Sequence, residues 1–540
     1  MLMPHSFTSR KGAPGGSSRI RLSCAGATFC NIDATGADLP FRAAPTDSLE
    51  GGLRLSTRAT VAVASSDAGD ADRRARARRW LRASALVALV LLVAACATYT
   101  PAPIDPSQSA AAFAARRLDA PELKDAVARV LPQAAEPWPP PAWDRASLLA
   151  VAMTTNGSLA VARAEVASAL AGEISAGERP NPTLELQSEY ARHEPDHWLY
   201  GLSFDFLLPQ HGVRQLDIEL ARLGTGGACS QLMEHTWTVR RTLVAALSDR
   251  ESARRRLDVL TRLGTAQDRI VAVQQQRVAA GEDAPADLNA AQGVRIDIEQ
   301  QEAQARADEV AAEAAVAAAL GMPPSALDGI AIAWPDWGEP PALEADALNA
   351  ARESALLARA DLGVAINDYA QAEKKLERAI ARQYPQFELK PGYYWDHGIA
   401  KWPFDVAFAL PFNRNRGEIA ETTAARDVAG RRMLALQADI YGGIEGAARA
   451  EDVARANVDA ACRRNAAVAE QLRHADVALG LGAGDRMERS GAEVLALRAE
   501  LELVQALAQR QSARNALEDA LHAPLSGPEL ALVKTDSGAR

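Results

Sequence analysis

The sequence predicts a mainly α protein with a β-barrel portion, built as a twofold internal repeat in which a strand pair is followed by a long helical hairpin. Three observations predict it. Alanine-rich stretches with helical periodicity dominate, while aromatics make up only 5% of the 540 residues; that composition favours long helices over one large globular core. Two segments instead alternate apolar and polar residues with period two, the mark of strands. The landmarks also recur: Pro182 and Pro385 lie 203 positions apart, as do Gly281 and Gly484, and Pro209 and Pro411 lie 202 apart. An offset kept through strands, helix and turn is a repeat.

Residues 1–72 are rich in Gly, Ser, Ala and Arg with no sustained apolar period, and read as a leader without a fold. Next comes "RRARARRWLRASALVALVLLVAACATYT". Six arginines between Arg73 and Arg82 precede the small and apolar run Ala83 to Ala95. The run is shorter than the roughly 20 residues a membrane-spanning helix needs and has the length of a signal-peptide core. Residues 73–95 therefore read as a lipoprotein signal peptide, with Leu92-Val93-Ala94-Ala95-Cys96 resembling a lipobox and Cys96 as the lipidation site. Ala97 after the cysteine favours outer-membrane sorting in lipoproteins of this kind. A signal peptide works from the chain start, so translation is expected to begin downstream of Met1, somewhere before Arg73.

Residues 96–141 are rich in Pro and Ala and read as an extended lipidated tether with one short helix at Pro121 to Val130. The first repeat covers 142–343. It starts with a helix from Trp143 to Glu178, stopped by "RPNP". Strands follow at about 182–190 and 198–208, joined by the polar "ARHEPDH". A helix of about 67 residues then runs from Arg214 to Ala280, roughly 100 Å at 1.5 Å per residue. A turn at about 280–286 reverses it into a second helix ending near Leu320. An irregular segment occupies about 321–342. The second repeat, 344–525, has a helix from Glu344 to Arg382, strands at about 385–394 and 401–411, a long helix from Arg416 to Leu479, a turn at about 480–486 and a last helix ending near Leu521. Residues 526–540 read as a tail.

The whole chain carries a net charge of −10, and without residues 1–96 it has 46 basic against 62 acidic residues, a net of −16. That balance argues against nucleic acid as a partner. Five cysteines are few. Cys229 and Cys462 form no CxxC and cluster with no His; they read as small apolar helix residues, with a disulfide between them left open. The eight histidines show no metal-ligand spacing, so no metal site or cofactor is expected. No nucleophile elbow, phosphate loop or HExxH occurs, and an enzyme has no residue support.

Each strand pair has an apolar, aromatic-rich face. Trp198, Tyr200, Phe204 and Phe206 share one, and Trp402, Phe404 and Phe408 share the other, opposite polar residues such as Asp205 and Lys401. Apolar-out, polar-in alternation marks a barrel wall facing lipid. Four strands cannot close a barrel, and open edges in lipid leave backbone groups unpaired at several kcal/mol each. The strands therefore require more than one chain.

At this point the sequence resembles a family. "NGSLAVARAEVASA", "RPNPTLEL", "ARADLGVAINDYAQAEKKLERA", "YPQFELKPGYY" and "LPFNRNRGEIA", in order over residues 142–525, are similar to TolC-type outer-membrane efflux channels. "LPFNRNRGEIA" and "NALEDALHAPL" look most like the heavy-metal (cobalt-zinc-cadmium) branch. The resemblance implies a homotrimeric α/β barrel-tunnel with one twelve-stranded barrel in outer-membrane lipid, a periplasmic helical tunnel and an equatorial collar. Its partners would be a periplasmic adaptor protein and an inner-membrane resistance-nodulation-division pump. It would be a passive conduit, for heavy-metal cations or alternatively for drugs or secreted protein. A periplasmic coiled-coil scaffold or adaptor lipoprotein is the rival from another class, and would need no membrane strands.

Under that resemblance, the turns around Gly281 and Gly484 match the tips where the tunnel closes and the adaptor docks, with Arg277 beside the first. Both glycines are expected to supply the positive φ of a helix reversal. The first turn departs from the usual small polar residues in offering Glu282, Asp283 and Pro285. Asp283, Asp287, Asp485 and Glu488 are candidate gate carboxylates, since a ring of them would favour cations; solvated helix-end charge is the plainer reading. Arg414, Arg416 and Glu418 are expected to pair where sheet becomes helix. His193, His197 and His397 fall in or beside the expected extracellular loops.

Overall fold

The computed structural model describes residues 99–131, 136–341 and 345–530. The leader, the signal peptide and Cys96 lie outside the described residues. The chain divides into two compact units. Of the smaller, the described part is residues 99–112, which include most of α1 (Pro106–Ala114). Asp105 begins this helix by accepting from the Ser107 amide at 2.8 Å.

The described part of the larger unit begins at Phe113. Here the expectation of an extended tether needs correction. Helix α2 (Pro121–Val130) packs Val127 inward, and Leu118, Leu131 and Trp143 are buried with it in the main core. Trp138 donates from Nε1 to the Asp119 carbonyl at 3.3 Å, which closes the segment on itself. Spaced apolar side chains in a Pro-rich run were enough to bind it to the body.

The helix expected from Trp143 to Glu178 is two: α3 (Arg145–Thr155) and α4 (Gly157–Gly177). Asp144 caps α3 through a reciprocal pair with Ser147. Asn156 is extended and its side chain accepts from the Ser158 amide at 2.9 Å, restarting the helix. The same division recurs in the second half, where α7 (Ala345–Ala358) and α8 (Ala360–Ala381) meet at an extended Arg359. Asn156 and Arg359 stand at the same offset as Pro182 and Pro385.

The long helices are α5 (Val213–Ala279), α6 (Pro285–Leu320), α9 (Arg416–Gly480) and α10 (Arg486–Leu521). Helix α5, at 67 residues, is roughly 100 Å long. Among the described residues no helix is long and apolar enough to cross a membrane. The main core gathers α3, the middle of α5 and the end of α6, and is closed by the segment after Gly321. In that segment Trp143 and Ile332 form a parallel bridge, and buried Trp337 donates from Nε1 to Ser248 Oγ at 3.2 Å.

Residues 526–530 of the expected tail also belong to this body. Glu529 is 1% exposed, and with Glu518 it accepts from Arg240 Nη2 at 2.7 and 2.5 Å. A buried cation drew the C-terminal segment in, since a guanidinium removed from water needs carboxylate partners.

The strands are β1 (Thr183–Tyr190), β2 (Trp198–Leu208), β3 (Phe387–Asp396), β4 (Ile399–Lys401) and β5 (Phe404–Phe408). The run expected as one strand at 401–411 is broken in two around Trp402-Pro403. Proline has no N–H to give the ladder, and the Pro403 carbonyl instead accepts from the Gly392 amide at 2.9 Å. All neighbouring strands are antiparallel, with Leu186 opposite Leu202, Leu202 opposite Tyr393 and Leu389 opposite Val406. Where sheet becomes helix, Glu418 accepts from Arg382 Nη1 at 3.3 Å and Asn415 Nδ2 at 2.7 Å. Arg414 contributes a left-handed backbone, φ 49°.

Candidate functional site

Three places are candidates for function: the sheet, the helix tips and a polar cluster at the end of α10. On the sheet, the register carries one apolar face across every strand. Leu184 opposes Phe204, Tyr190 opposes Trp198, and Phe387 opposes both Leu208 and Phe408. This face is bare. Tyr200, Phe204, Phe206 and Phe408 are exposed, Leu186 is 76% exposed and Trp402 79%. Aromatic pairs reinforce it, among them Tyr190 with Trp198 at 5.1 Å and Tyr393 with Trp402 at 4.7 Å. The opposite face is polar and tied together. Lys390 Nζ lies 3.1 Å from Asp205 and 3.9 Å from Glu185, and Ser203 is buried beside them. Among the described residues, the outer strands β1 and β5 each leave one edge unpaired.

At the first tip, α5 ends in a Schellman-like closure: the Glu282 amide donates to the Arg277 carbonyl at 2.9 Å, with Gly281 at φ 77°. The second tip corrects the assignment of Gly484. The positive φ belongs to Gly482, at 74°, two positions earlier. Gly484 serves a different need: a Cβ there would come 3.0 Å from the Leu479 amide nitrogen and 3.1 Å from Ala478 Cβ. It lets the turn fold back onto the last turn of α9, and its amide donates to the Ala478 carbonyl.

Arg277 joins the two tips. Its Nε and Nη2 donate to Asp283 at 2.7 and 3.0 Å, and its Nη1 lies 3.7 Å from Asp485. The Arg277 hydrogen bonds hold the Asp283 carboxyl below the usual range. Gln274 Nε2 also donates to Asp283, at 2.7 Å. Asp287 accepts from the Ala284 amide at the start of α6. Of the four candidate gate carboxylates, Asp283 and Asp287 thus have duties within the turn. Asp485 stands as the N-cap residue of α10 and Glu488 lies in its first turn.

The third place was not singled out by sequence. Glu234 on α5, Asp361 on α8 and His522 after α10 bring one donor atom each within 4.8 Å of one another. Burial pushes the Glu234 carboxyl up and pushes the His522 imidazole down to about 4. Sequence spacing could not find this group, because its members come from three distant helices. His193, His197 and His397 lie beside the ends of β1, β2 and β3, with His397 Nδ1 2.6 Å from Asp396, while His235 and His474 lie within α5 and α9. Cys462 is a free, exposed thiol, so no Cys229–Cys462 disulfide forms. Cys229 packs against the main core.

No protein-family model matches the sequence, and no curated protein matches it. Solved structures do match. The outer membrane protein VceC from Vibrio cholerae is 17% identical, with a TM-score of 0.57 over 70% of this chain and 96% of its own. CusC, described in terms of transmembrane channel formation, is 16% identical with the same TM-score, over 70% of this chain and 92% of its own. The outer-membrane channel OprN is 16% identical, again at 0.57, over 80% of this chain and 99% of its own. With its antiparallel sheet and long helical hairpins, this chain has the α/β barrel-tunnel fold of those outer-membrane channels.

Proposed function

We propose that the chain is the outer-membrane channel of a tripartite efflux system, a homotrimer whose four-strand contributions close one barrel in lipid. The observation that carries this is the sheet: an aromatic face left bare, a polar face tied by ion pairs, and two open edges. Water penalises such a face at about 25 cal/mol per Å², and lipid penalises such edges. Membrane insertion together with closure by further copies removes both penalties.

In this reading the helices form the periplasmic tunnel, and the tips around Arg277, Gly281 and Gly484 dock the adaptor that links the channel to an inner-membrane pump. Asp485 and Glu488 are the acids best placed to act as gate carboxylates. The channel uses no energy itself, and adaptor binding opens it by favouring an untwisted tip. Lipidation at Cys96 adds a second anchor. Heavy-metal cations are the finer reading of the cargo, supported by "LPFNRNRGEIA" and "NALEDALHAPL".

The test is fractionation, cross-linking and planar-bilayer conductance of the purified protein. A cross-linked trimer from outer membranes that forms pores is expected. A monomer that leaves the membrane with salt and forms no pore would overturn the channel and favour a scaffold lipoprotein. For the cargo, deletion of the gene should lower the tolerated concentration of cobalt, zinc or cadmium; sensitivity to drugs alone would reject the metal reading.

A further inference from the structure

We propose that Glu234, Asp361 and His522 form a binding site for one divalent transition-metal ion of the zinc or cobalt kind, which staples the end of α10 to α5 and α8. The site lies in the helical body, away from both the sheet and the tips.

The first observation is the convergence of one imidazole nitrogen and two carboxylate oxygens within 4.8 Å. The second, independent one is the state of His522. Its side chain is only 9% exposed, and Nδ1 is buried without a hydrogen-bond partner. Nδ1 faces Glu234 Oε2 at 3.7 Å, and that oxygen is also buried and without a hydrogen bond. Two buried polar atoms left facing each other without a hydrogen bond leave a place that a cation would fill. Ligands 2.0–2.1 Å from a tetrahedral zinc lie about 3.4 Å apart, so a small inward movement closes the set.

The surroundings support it. Trp237 stacks on the His522 ring at 5.1 Å and fixes its plane, while its own Nε1 donates to Asp519 at 2.9 Å. Arg359 holds Asp361 by two hydrogen bonds of 3.0 and 2.7 Å, as an outer shell orients a ligating carboxylate. Three carboxylates, those of Glu234, Asp361 and Asp519, face two guanidiniums, those of Arg359 and Arg241. The uncompensated charge is negative. An imidazole among oxygen donors suits zinc, cobalt or nickel better than calcium or magnesium. His522 also holds φ 49°, at a helix end where glycine or asparagine is usual.

The experiment uses the full-length, untagged protein in detergent, carrying Cys462→Ser to remove the exposed thiol and stripped with chelator. Cobalt(II) is titrated and its visible d–d absorption recorded; zinc is then added in competition, and thermal unfolding is followed with and without zinc. One cobalt per chain, displaced by zinc, with a zinc-dependent rise in Tm, is expected. Glu234→Gln, nearly isosteric, and His522→Asn, which tolerates the left-handed backbone, should each lose the band and the Tm rise while keeping the far-UV helical signal. No band in the parent protein, or an unchanged band in both variants, would overturn the site. Pore formation by a protein that binds no cobalt would leave the channel reading standing and remove this one alone.

Discussion

The sheet and the helical body treat apolar surface in opposite ways. In the body, Leu148, Leu243, Val316 and Trp337 are buried, and Arg240 enters the interior in company with Glu518 and Glu529. In the sheet, the largest apolar side chains point out and the ion pairs of Lys390 lie on the other face. One chain therefore carries two solvent assumptions. The body holds a core built from its own residues. In the proposed channel the sheet is finished by lipid and by more strands.

The sharpest way to break this comparison is to remove the body's buried cation. Arg240→Met strands two buried carboxylates and should destabilise the body by about 3–5 kcal/mol, seen as a lower Tm of the helical signal. Adding Glu518→Gln and Glu529→Gln should return much of it; no recovery would mean that Arg240 acts by packing alone. Next comes a charge on the opposite kind of surface. Phe204→Arg should disfavour the membrane-inserted form by about 2–4 kcal/mol per chain near the bilayer midplane, read as loss of heat-modifiable trimer on gels. In an aqueous scaffold the same change would pass unnoticed, because Phe204 is already exposed.

Smaller effects sharpen the comparison at the tips. Gly281→Ala and Gly482→Ala place a Cβ at positive φ and should each cost roughly 1–2 kcal/mol, measured as faster amide exchange in the last turns of α5 and α9. Gly484→Ala should also loosen the second tip, through contact with Ala478 and not through φ; an asparagine scan separates the two, since asparagine tolerates the left-handed region and does nothing for a clash. The least effect on stability is expected from Arg277→Gln. An exposed ion pair contributes little in water, so the change should leave Tm unaltered while raising single-channel conductance by freeing Asp283 and Asp485.

What was legible follows from which signals are local. A strand's period of two writes its faces directly into sequence, so Trp198 to Leu208 could be assigned an apolar face without a partner in view. Gly281 was legible because a long helical period stops there. In "GLGAGD" three glycines compete, and only the geometry of the reversal selects Gly482 for the left-handed position. Pro403 was visible as a letter, yet its place against Gly392 was needed to see one strand become two. The least legible features depend on distant segments meeting. Leu118 and Glu529 lie in stretches composed like a tether and a tail, and were drawn in by a core and a buried arginine elsewhere. His522 meets Glu234 and Asp361 only once three helices have packed.

Arg277 has one further consequence. Four positions before its left-handed glycine, the first tip has this arginine where the second has Ala478. A single guanidinium thus serves two turns, and a symmetric assembly would hold its end closed with one clasp per subunit. Such a clasp stands in water, where dissolved ions compete for both of its partners. At 1 M salt the screening length falls to about 3 Å, shorter than the 3.7 Å reach to Asp485. The end of this molecule would then respond to the saltiness of its surroundings before any partner touches it.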